Sequence, residues 1–373
     1  MPMNLSREAA SALRAIINAT TSSPSPTIPG LVYCAVDSAG DVFFSHSPEQ
    51  RGKDSPDQMT MDKVFWLASC TKLITSIACM QMVEQGKLAL DDTEQVELLA
   101  PELRSVKLAE RKLDGSFPGF GYAFEDLKLR DWSRPVGLDD FSCHESDVLH
   151  RPLVNQPGTC FQYGVGLDWA AVLVERISGL SLEEYFERFI LHPMGIGSIM
   201  FFPSAEMVMN LPYMHQRDTD GTLSITDHLY RYPLLLCKSG TEGQRFWMGG
   251  AELLATLLND GTDPKTHTQL LKGETCYTAE MFTDQIPDKP RYFNEYIPSG
   301  KPLLANTGPL VPCDDDLTEG WVLSFSISHK KSSTGRAAGS GSWEGLADLF
   351  WFVVRENGVG LIIASQILPY GGE

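Results

Sequence analysis

One short stretch, FWLASCTKLITS at residues 65–76, places a serine and a lysine three positions apart. Apolar residues follow at helical spacing, which predicts that a buried helix begins at Ser69 and Lys72. An amine that lies one turn from a hydroxyl and is walled by apolar side chains has a lowered pKa, so Lys72 could take the proton of Ser69. The alternative is that Ser69 caps the helix and Lys72 extends its charge to the surface.

Two later segments carry groups that such a nucleophile needs. PGTCFQYGVGLDWA places Tyr163 on a glycine-flanked turn before a helix, where a phenol beside Lys72 would share its proton and have a lowered pKa. GSGSWEGLADLFW reads as a glycine-rich loop that leads into an apolar strand, and exposed backbone N–H groups there would stabilise an oxyanion. Taken singly, each has a plainer explanation: a core tyrosine whose hydroxyl is hydrogen-bonded, and an ordinary hairpin loop.

Composition excludes several classes of function. The 373 residues can form a large core, and 43% hydrophobic with 21% charged residues is typical of a globular protein. A net charge of −18 argues against a nucleic-acid partner, which requires a basic surface. No apolar run reaches the roughly 20 residues that span a bilayer, and the first residues lack a signal-peptide core, so we expect no membrane association.

The eight cysteines are scattered, without a CxxC pair, which favours a reduced, cytoplasmic protein over a disulfide scaffold. The eight histidines do not cluster at ligand spacing, and a solvated loop explains His144 and His150. We therefore expect no metal and no cofactor.

The order of elements predicts an α/β (α+β) fold. An amphipathic N-terminal helix precedes a hairpin formed by LVYCAVD and DVFFSHS, and helical patterns dominate from about residue 70 to residue 260. WVLSFSISH, LADLFWFVV and VGLIIASQIL then read as strands. This pattern predicts an antiparallel sheet built from both termini (residues 1–68 and 262–373) and an inserted, mostly helical region (residues 69–261).

SxxK, Tyr-Gly-x and a late glycine-rich motif occur here in the order typical of one superfamily. The chain resembles the serine β-lactamases and penicillin-binding proteins, especially the class C-like esterase branch and its fungal acyltransferases of the lovastatin side-chain type. Segments such as LASCTKLITSIACMQMVEQGKLALDD and GSGSWEGLADLFWFVVRENGVGLIIASQILP carry the resemblance over nearly the whole chain. It implies the β-lactamase/transpeptidase-like fold, with the sheet flanked by helices.

The resemblance also implies roles for individual residues. Ser69 would be the acylated nucleophile, Lys72 its general base and Tyr163 the second acid/base. The third motif matches Trp343-Glu344-Gly345-Leu346, where the N–H of Leu346 would form the oxyanion hole with that of Ser69. The predicted oxyanion and substrate-binding residues are Leu346, Gly345, Trp343 and Tyr122. Trp343 replaces a lysine that binds the carboxylate of β-lactams, which favours esters or thioesters.

The chain departs from the superfamily in three places. A His-Thr pattern is absent before GFGY, the stretch after WMGG is short, and the sequence stops at SQILPYGGE, where we expect relatives to continue into a final helix. These differences predict a wider, wetter cleft with residues 118–124 as a flap. They also predict uncovered apolar sheet surface near Phe352 and Ile362.

The sequence therefore predicts a serine acyltransferase or esterase that acts through an acyl-enzyme on a small-molecule ester or thioester. Its partners would be an acyl donor, including a carrier-protein thioester, and an acyl acceptor. A β-lactamase-type amide hydrolase and a catalytically silent relative that binds a metabolite or a protein remain the alternatives.

Overall fold

The computed structural model describes residues 3–21, 27–48, 50–106, 121–142, 145–154, 162–229, 246–247, 250–272, 280–292, 299–306 and 318–371. The α-helices within these ranges are α1 (Arg7–Thr21), α2 (Lys72–Glu84), α3 (Thr93–Leu99), α4 (Leu127–Val136), α5 (Glu145–Leu149), α6 (Gly166–Ser178), α7 (Leu182–Phe186), α8 (Ala205–Met209) and α9 (Gly250–Leu258). The strands are β1 (Val32–Asp37), β2 (Val42–His46), β3 (Phe65–Trp66), β4 (Met214–Arg217), β5 (Leu223–Thr226), β6 (Phe246–Trp247), β7 (Arg291–Tyr292), β8 (Thr318–Trp321), β9 (Ser326–Ser328), β10 (Gly341–Gly345), β11 (Leu349–Val354), β12 (Val359–Ala364) and β13 (Ile367–Leu368).

The main sheet has eight strands in the order β2-β1-β12-β11-β10-β9-β8-β7. Every neighbouring pair is antiparallel, and β12 joins the two ends of the chain because Ile362 pairs with Cys34 on one side and Trp351 on the other. The prediction of a sheet built from both termini is confirmed. The residue boundaries of the predicted division, 1–68 with 262–373 against 69–261, stay a prediction.

Both faces of this sheet are covered. On one face, α1 packs Leu13 and Ile17 against a cluster that includes Leu361 and Phe352. Ile362 faces the opposite side, where it is 8% exposed within the main core. The prediction of uncovered sheet surface near Phe352 and Ile362 is therefore wrong, because α1 packs in the cluster that contains Phe352 and the main core encloses Ile362.

Helix α2 lies at the centre of the core. Its residues from Lys72 to Met82 are all buried, and it packs against α6 and α7. A helix that is buried on all sides cannot display a polar face, so its apolar residues occur at every helical angle. This burial also encloses the one charged residue at its start.

Local sequence signals account for several boundaries. The first hairpin has the predicted strands, α6 ends at Gly179 with φ +72°, and Ser181 and Glu184 form the predicted capping box at the start of α7. Three predictions differ. VGLIIASQIL is not one strand, because β12 belongs to the main sheet and β13 pairs with β4. WVLSFSISH is not one strand, because a turn with a bond from the Val322 N–H to the Phe325 carbonyl separates β8 from β9. GSWEG is strand β10 rather than a loop.

Two predicted properties concern the whole chain. Cys34, Cys70 and Cys79 are free thiols, and burial raises the pKa of each. The remaining five cysteines lie outside the described residues. Across the part of the chain that the structure describes, no helix is long and apolar enough to cross a membrane.

Candidate active site

Ser69 lies in a short 3₁₀ turn, Ala68–Thr71, between β3 and α2. Ala68 has φ +44°, an uncommon conformation for a residue other than glycine, and it turns the chain sharply before the serine. The N-cap position of α2 belongs to Thr71, and no side chain caps that end. Ser69 is half-buried, and its Oγ is engaged by two other side chains rather than by the helix end. The capping alternative therefore does not describe this serine.

Lys72 is only 4% exposed, which excludes the surface alternative for this lysine. Its Nζ lies 3.2 Å from Ser69 Oγ and 3.1 Å from the hydroxyl of Tyr122. The same nitrogen lies 5.1 Å and 5.2 Å from the ring centroids of Tyr163 and Tyr122, within the range of a cation–π contact. The amine is thus held against the nucleophile by two aromatic rings.

Tyr163 completes the group, because its hydroxyl donates to Ser69 Oγ across 2.5 Å. Its ring packs between Tyr122 and Trp343, with centroid distances of 5.2 and 5.3 Å. Withdrawal from water raises the pKa of Tyr163 to about 12, although Lys72 acts in the opposite direction. The prediction of a lowered pKa for this phenol is wrong, since burial outweighs the neighbouring amine.

Behind Lys72 lies an acid, Asp168, that no sequence motif indicates. Tyr122 donates its hydroxyl proton to Oδ2 of Asp168 across 2.9 Å, and Asp168 is 1% exposed. Acidic residues are common in the first turn of a helix such as α6, because they interact favourably with the helix dipole. In the sequence, only the apolar neighbours Leu167 and Trp169 indicate that this acid is buried. A hydrogen-bonded chain thus runs from Asp168 through Tyr122 and Lys72 to Ser69.

Tyr122 was predicted to bind substrate or to line the oxyanion hole. In the structure, the hydroxyl of this residue instead accepts a hydrogen bond from Lys72 and donates one to Asp168, and Tyr122 is only 5% exposed. Ala123 and Phe124 are also buried, so the described part of the predicted flap belongs to the core. Residues 118–120 of that prediction lie outside the described residues.

A buried ion pair holds the segment that carries Tyr122. The Arg151 guanidinium donates to the Asp140 carboxylate across 2.8 Å and to the Gly121 carbonyl across 3.2 Å. Both side chains of the pair are 1% exposed. Arg151 also lies 5.8 Å from the centre of the Tyr122 ring. The pair therefore holds the backbone at Gly121, next to Tyr122. No sequence motif indicates this ion pair.

Strand β10 brings the third motif to the nucleophile. A Cβ at Gly345 would lie 2.6 Å from the carbonyl oxygen of Leu67, so only glycine permits this close approach of β10 to the turn that carries Ser69. Leu346, which is buried, is the next residue along the chain. The oxyanion hole formed by the N–H groups of Ser69 and Leu346 stays a prediction, and this approach is the geometry that it needs.

Aromatic rings extend the site away from Ser69. Trp343 on β10 packs against Tyr163, and Trp321 on β8 meets Trp343 edge to face at 4.6 Å. These rings form an uncharged wall beside the nucleophile. In the described portion of the chain, no group of three or more His, Cys, Asp or Glu side chains could hold a metal ion.

Comparison with known proteins identifies the family of this chain. Residues 18–372 match the Beta-lactamase family. The chain is 33% identical to lovastatin esterase of Penicillium rubens over 93% of this chain and 91% of that protein. It is 30% identical to monacolin J acid methylbutanoyltransferase of Aspergillus terreus over 54% of this chain and 55% of that protein.

The fold is similar to that of a solved mutant simvastatin synthase (LovD) from Aspergillus terreus, with a TM-score of 0.74. The superposition covers 98% of this chain and 90% of the chain of that protein. At 24% identity, that likeness concerns the fold alone. The predicted β-lactamase/transpeptidase-like fold is confirmed, and the chain belongs to the β-lactamase family.

Proposed function

We propose that this chain is a serine acyltransferase or esterase that forms an acyl-enzyme on Ser69. One observation carries the proposal: Ser69 Oγ lies within hydrogen-bond distance of both Lys72 Nζ and the Tyr163 hydroxyl. A nucleophile that is in contact with a base and a separate proton donor is the arrangement that acyl transfer requires. The similarity to an esterase and an acyltransferase supports the same chemistry.

The geometry supports a balanced sequence of steps. Ser69 Oγ attacks the carbonyl carbon of the ester or thioester while Lys72, in its neutral form, takes the serine proton. Tyr163 is protonated at neutral pH because its pKa is raised to about 12, so it can donate its proton to the departing oxygen or sulfur. The Lys72 ammonium then returns a proton to Tyr163. Deacylation reverses these steps with an alcohol or water as the acceptor.

The chain of buried groups behind Lys72 favours the first of these steps. As Lys72 takes the proton it becomes an ammonium, and Tyr122 accepts a hydrogen bond from it while donating to Asp168. Hydrogen-bonding groups that are already oriented before the reaction stabilise the cation without reorganising water. We therefore infer that Tyr122 and Asp168 position Lys72 and stabilise its charged form.

We propose neutral acyl groups as the substrate class. Trp343 and Trp321 form an aromatic wall next to Tyr163, which favours apolar substituents. A β-lactam would lose the charge-assisted hydrogen bond that a lysine at position 343 supplies, worth about 1.5–3 kcal/mol. We expect kcat/KM for p-nitrophenyl butyrate to exceed that for nitrocefin by tenfold or more. Equal values for the two substrates would favour the amide-hydrolase alternative.

Covalent labelling tests the proposal directly. A fluorophosphonate should add one phosphonyl group to the wild-type chain, seen by intact-mass spectrometry and mapped to Ser69. Ser69→Ala should remain unlabelled and should not hydrolyse p-nitrophenyl butyrate. Ser76→Ala, which removes another buried hydroxyl of α2, is the matched control and should be labelled normally. A wild-type chain that gains no mass would instead support the catalytically silent binding relative.

We further propose that the acyl donor includes carrier-protein thioesters and that the enzyme acts in secondary metabolism in the cytoplasm. The free thiols of Cys34, Cys70 and Cys79 support a reducing compartment. The two named relatives, which act on lovastatin and monacolin J acid by their names, support the metabolic setting. Single-turnover assays with a butyryl carrier protein and a matched butyryl thioester of a small thiol would separate the two kinds of donor.

A further inference from the structure

The tip of the β10–β11 hairpin consists of Leu346, Ala347 and Asp348. On one side it approaches the nucleophile turn, because Gly345 at the end of β10 lies against the Leu67 carbonyl. The position of the Leu346 N–H therefore depends on how this three-residue tip is held.

On its other side, the tip is bound by the segment that includes β13. The Ile367 N–H donates to the Ala347 carbonyl across 3.2 Å. The Ser365 hydroxyl donates to the Asp348 carbonyl across 2.8 Å. The Gly371 N–H donates to Asp348 Oδ1 across 3.2 Å. These bonds join residues 365–371 to the tip, and one of them uses the Asp348 side chain.

Asp348 also has an unusual backbone. Its φ is +56°, in the left-handed region that asparagine, aspartate and glycine tolerate better than other residues. Its half-buried carboxyl group lies in the field of Arg217 on β4, and burial raises its pKa to about 7. Oδ1 accepts the Gly371 N–H in either charge state, so the anchor persists as the group titrates.

We propose that Asp348 is a positioning residue for the oxyanion hole, because its side chain ties the hairpin tip to residues 365–371 and thereby sets where the Leu346 N–H lies relative to Ser69. This inference rests on the proposed function. A residue with this role contributes to stabilisation of the oxyanion that develops in the transition state. It contributes little to binding of the substrate in the ground state.

Three substitutions separate the side-chain anchor from the backbone conformation. Asp348→Asn keeps both the acceptor oxygen and tolerance of a positive φ. Asp348→Gly adopts the positive φ but lacks the acceptor, and Asp348→Ala lacks both. Asp54→Ala is the matched control, since Asp54 is an exposed aspartate with φ +57° on the turn between β2 and β3.

The readouts are kcat and KM for p-nitrophenyl butyrate and the affinity for butylboronic acid. That probe forms a bond from Ser69 Oγ to boron while Lys72 takes the serine proton, and the tetrahedral adduct places an oxygen in the oxyanion hole. We expect Asp348→Gly and Asp348→Ala to lower kcat and boronate affinity 10- to 100-fold with KM changed less than threefold. Asp348→Asn and Asp54→Ala should match the wild type.

Each other outcome has a distinct meaning. If Asp348→Gly behaves like the wild type, the backbone conformation alone matters and the anchor is refuted. If Asp348→Asn loses as much as Asp348→Ala, or if KM rises while boronate affinity holds, the positioning role is refuted. If the wild-type chain neither forms a boronate adduct nor is labelled at Ser69, the proposed function itself fails.

Discussion

Replacement of Tyr163 by phenylalanine isolates the proton donor of the proposed mechanism. The substitution removes only the hydroxyl that lies 2.5 Å from Ser69 Oγ. The ring contacts with Tyr122 and Trp343 are made by carbon atoms and should remain. The variant should therefore fold normally while Ser69 keeps Lys72 and loses its second partner.

The size of the effect follows from the role of the hydroxyl. A positioned acid or base contributes about 10²–10⁴-fold to the rate, or about 3–5 kcal/mol of activation free energy. We expect a loss in this range for acylation at pH 7. Because the pKa of Tyr163 is raised to about 12, the phenol stays protonated as the pH rises to 10. Loss of activity through its ionisation should begin only above that pH.

The assay is the burst of alcohol released from an alkyl ester such as ethyl butyrate, whose departing oxygen must be protonated, measured by rapid quench between pH 6 and pH 10. Tyr185→Phe is the matched control, because this buried tyrosine of α7 bonds Gln81 rather than the site. A Tyr163→Phe burst rate within threefold of the parent rate would refute the assignment. So would an equal loss in the control.

Three further predictions concern groups around the site. Tyr122→Phe should lower the acylation rate about 10- to 100-fold in the same burst assay, since a hydrogen bond to a charged group is worth about 1.5–3 kcal/mol; an unchanged rate would contradict its role in holding Lys72. Arg151→Met leaves the buried Asp140 carboxylate with Lys301, 3.6 Å away, but without its guanidinium, so the free energy of unfolding in urea should fall by about 3 kcal/mol; a fall below about 1 kcal/mol would show that the pair is dispensable. Asp348 has a pKa raised from 3.8 to about 7 in the folded chain, so the wild type loses stability as pH rises from about 4 to 7 while Asp348→Asn does not. The Asn variant should therefore gain on the order of 4 kcal/mol relative to the wild type between pH 4 and pH 8, and a pH-independent difference in Tm would contradict this.

Features that depend on neighbouring residues could be predicted from the sequence. The start of α7 follows from Ser181 and Glu184, whose side chains satisfy N–H groups only three residues away. The end of α6 at Gly179 follows from the ease with which glycine adopts a positive φ. Ser69 and Lys72 lie on one turn, so their contact of 3.2 Å is also a local consequence of helix geometry. The family resemblance supplied the β-lactamase/transpeptidase-like topology and favoured the catalytic over the core explanation of Tyr163.

The tertiary structure decided what surrounds these residues. Lys72 is hydrogen-bonded to Tyr122, which lies 50 positions further along the chain. Tyr122 is in turn hydrogen-bonded to Asp168, a further 46 positions along. Nothing local distinguishes Asp168 from an exposed acid in a first helical turn, and nothing local shows that Arg151 is buried. The direction in which the pKa of Tyr163 is shifted depends on the fold for the same reason. The cost of removing a charge from water depends on every segment packed around it, and that packing exists only in the folded chain.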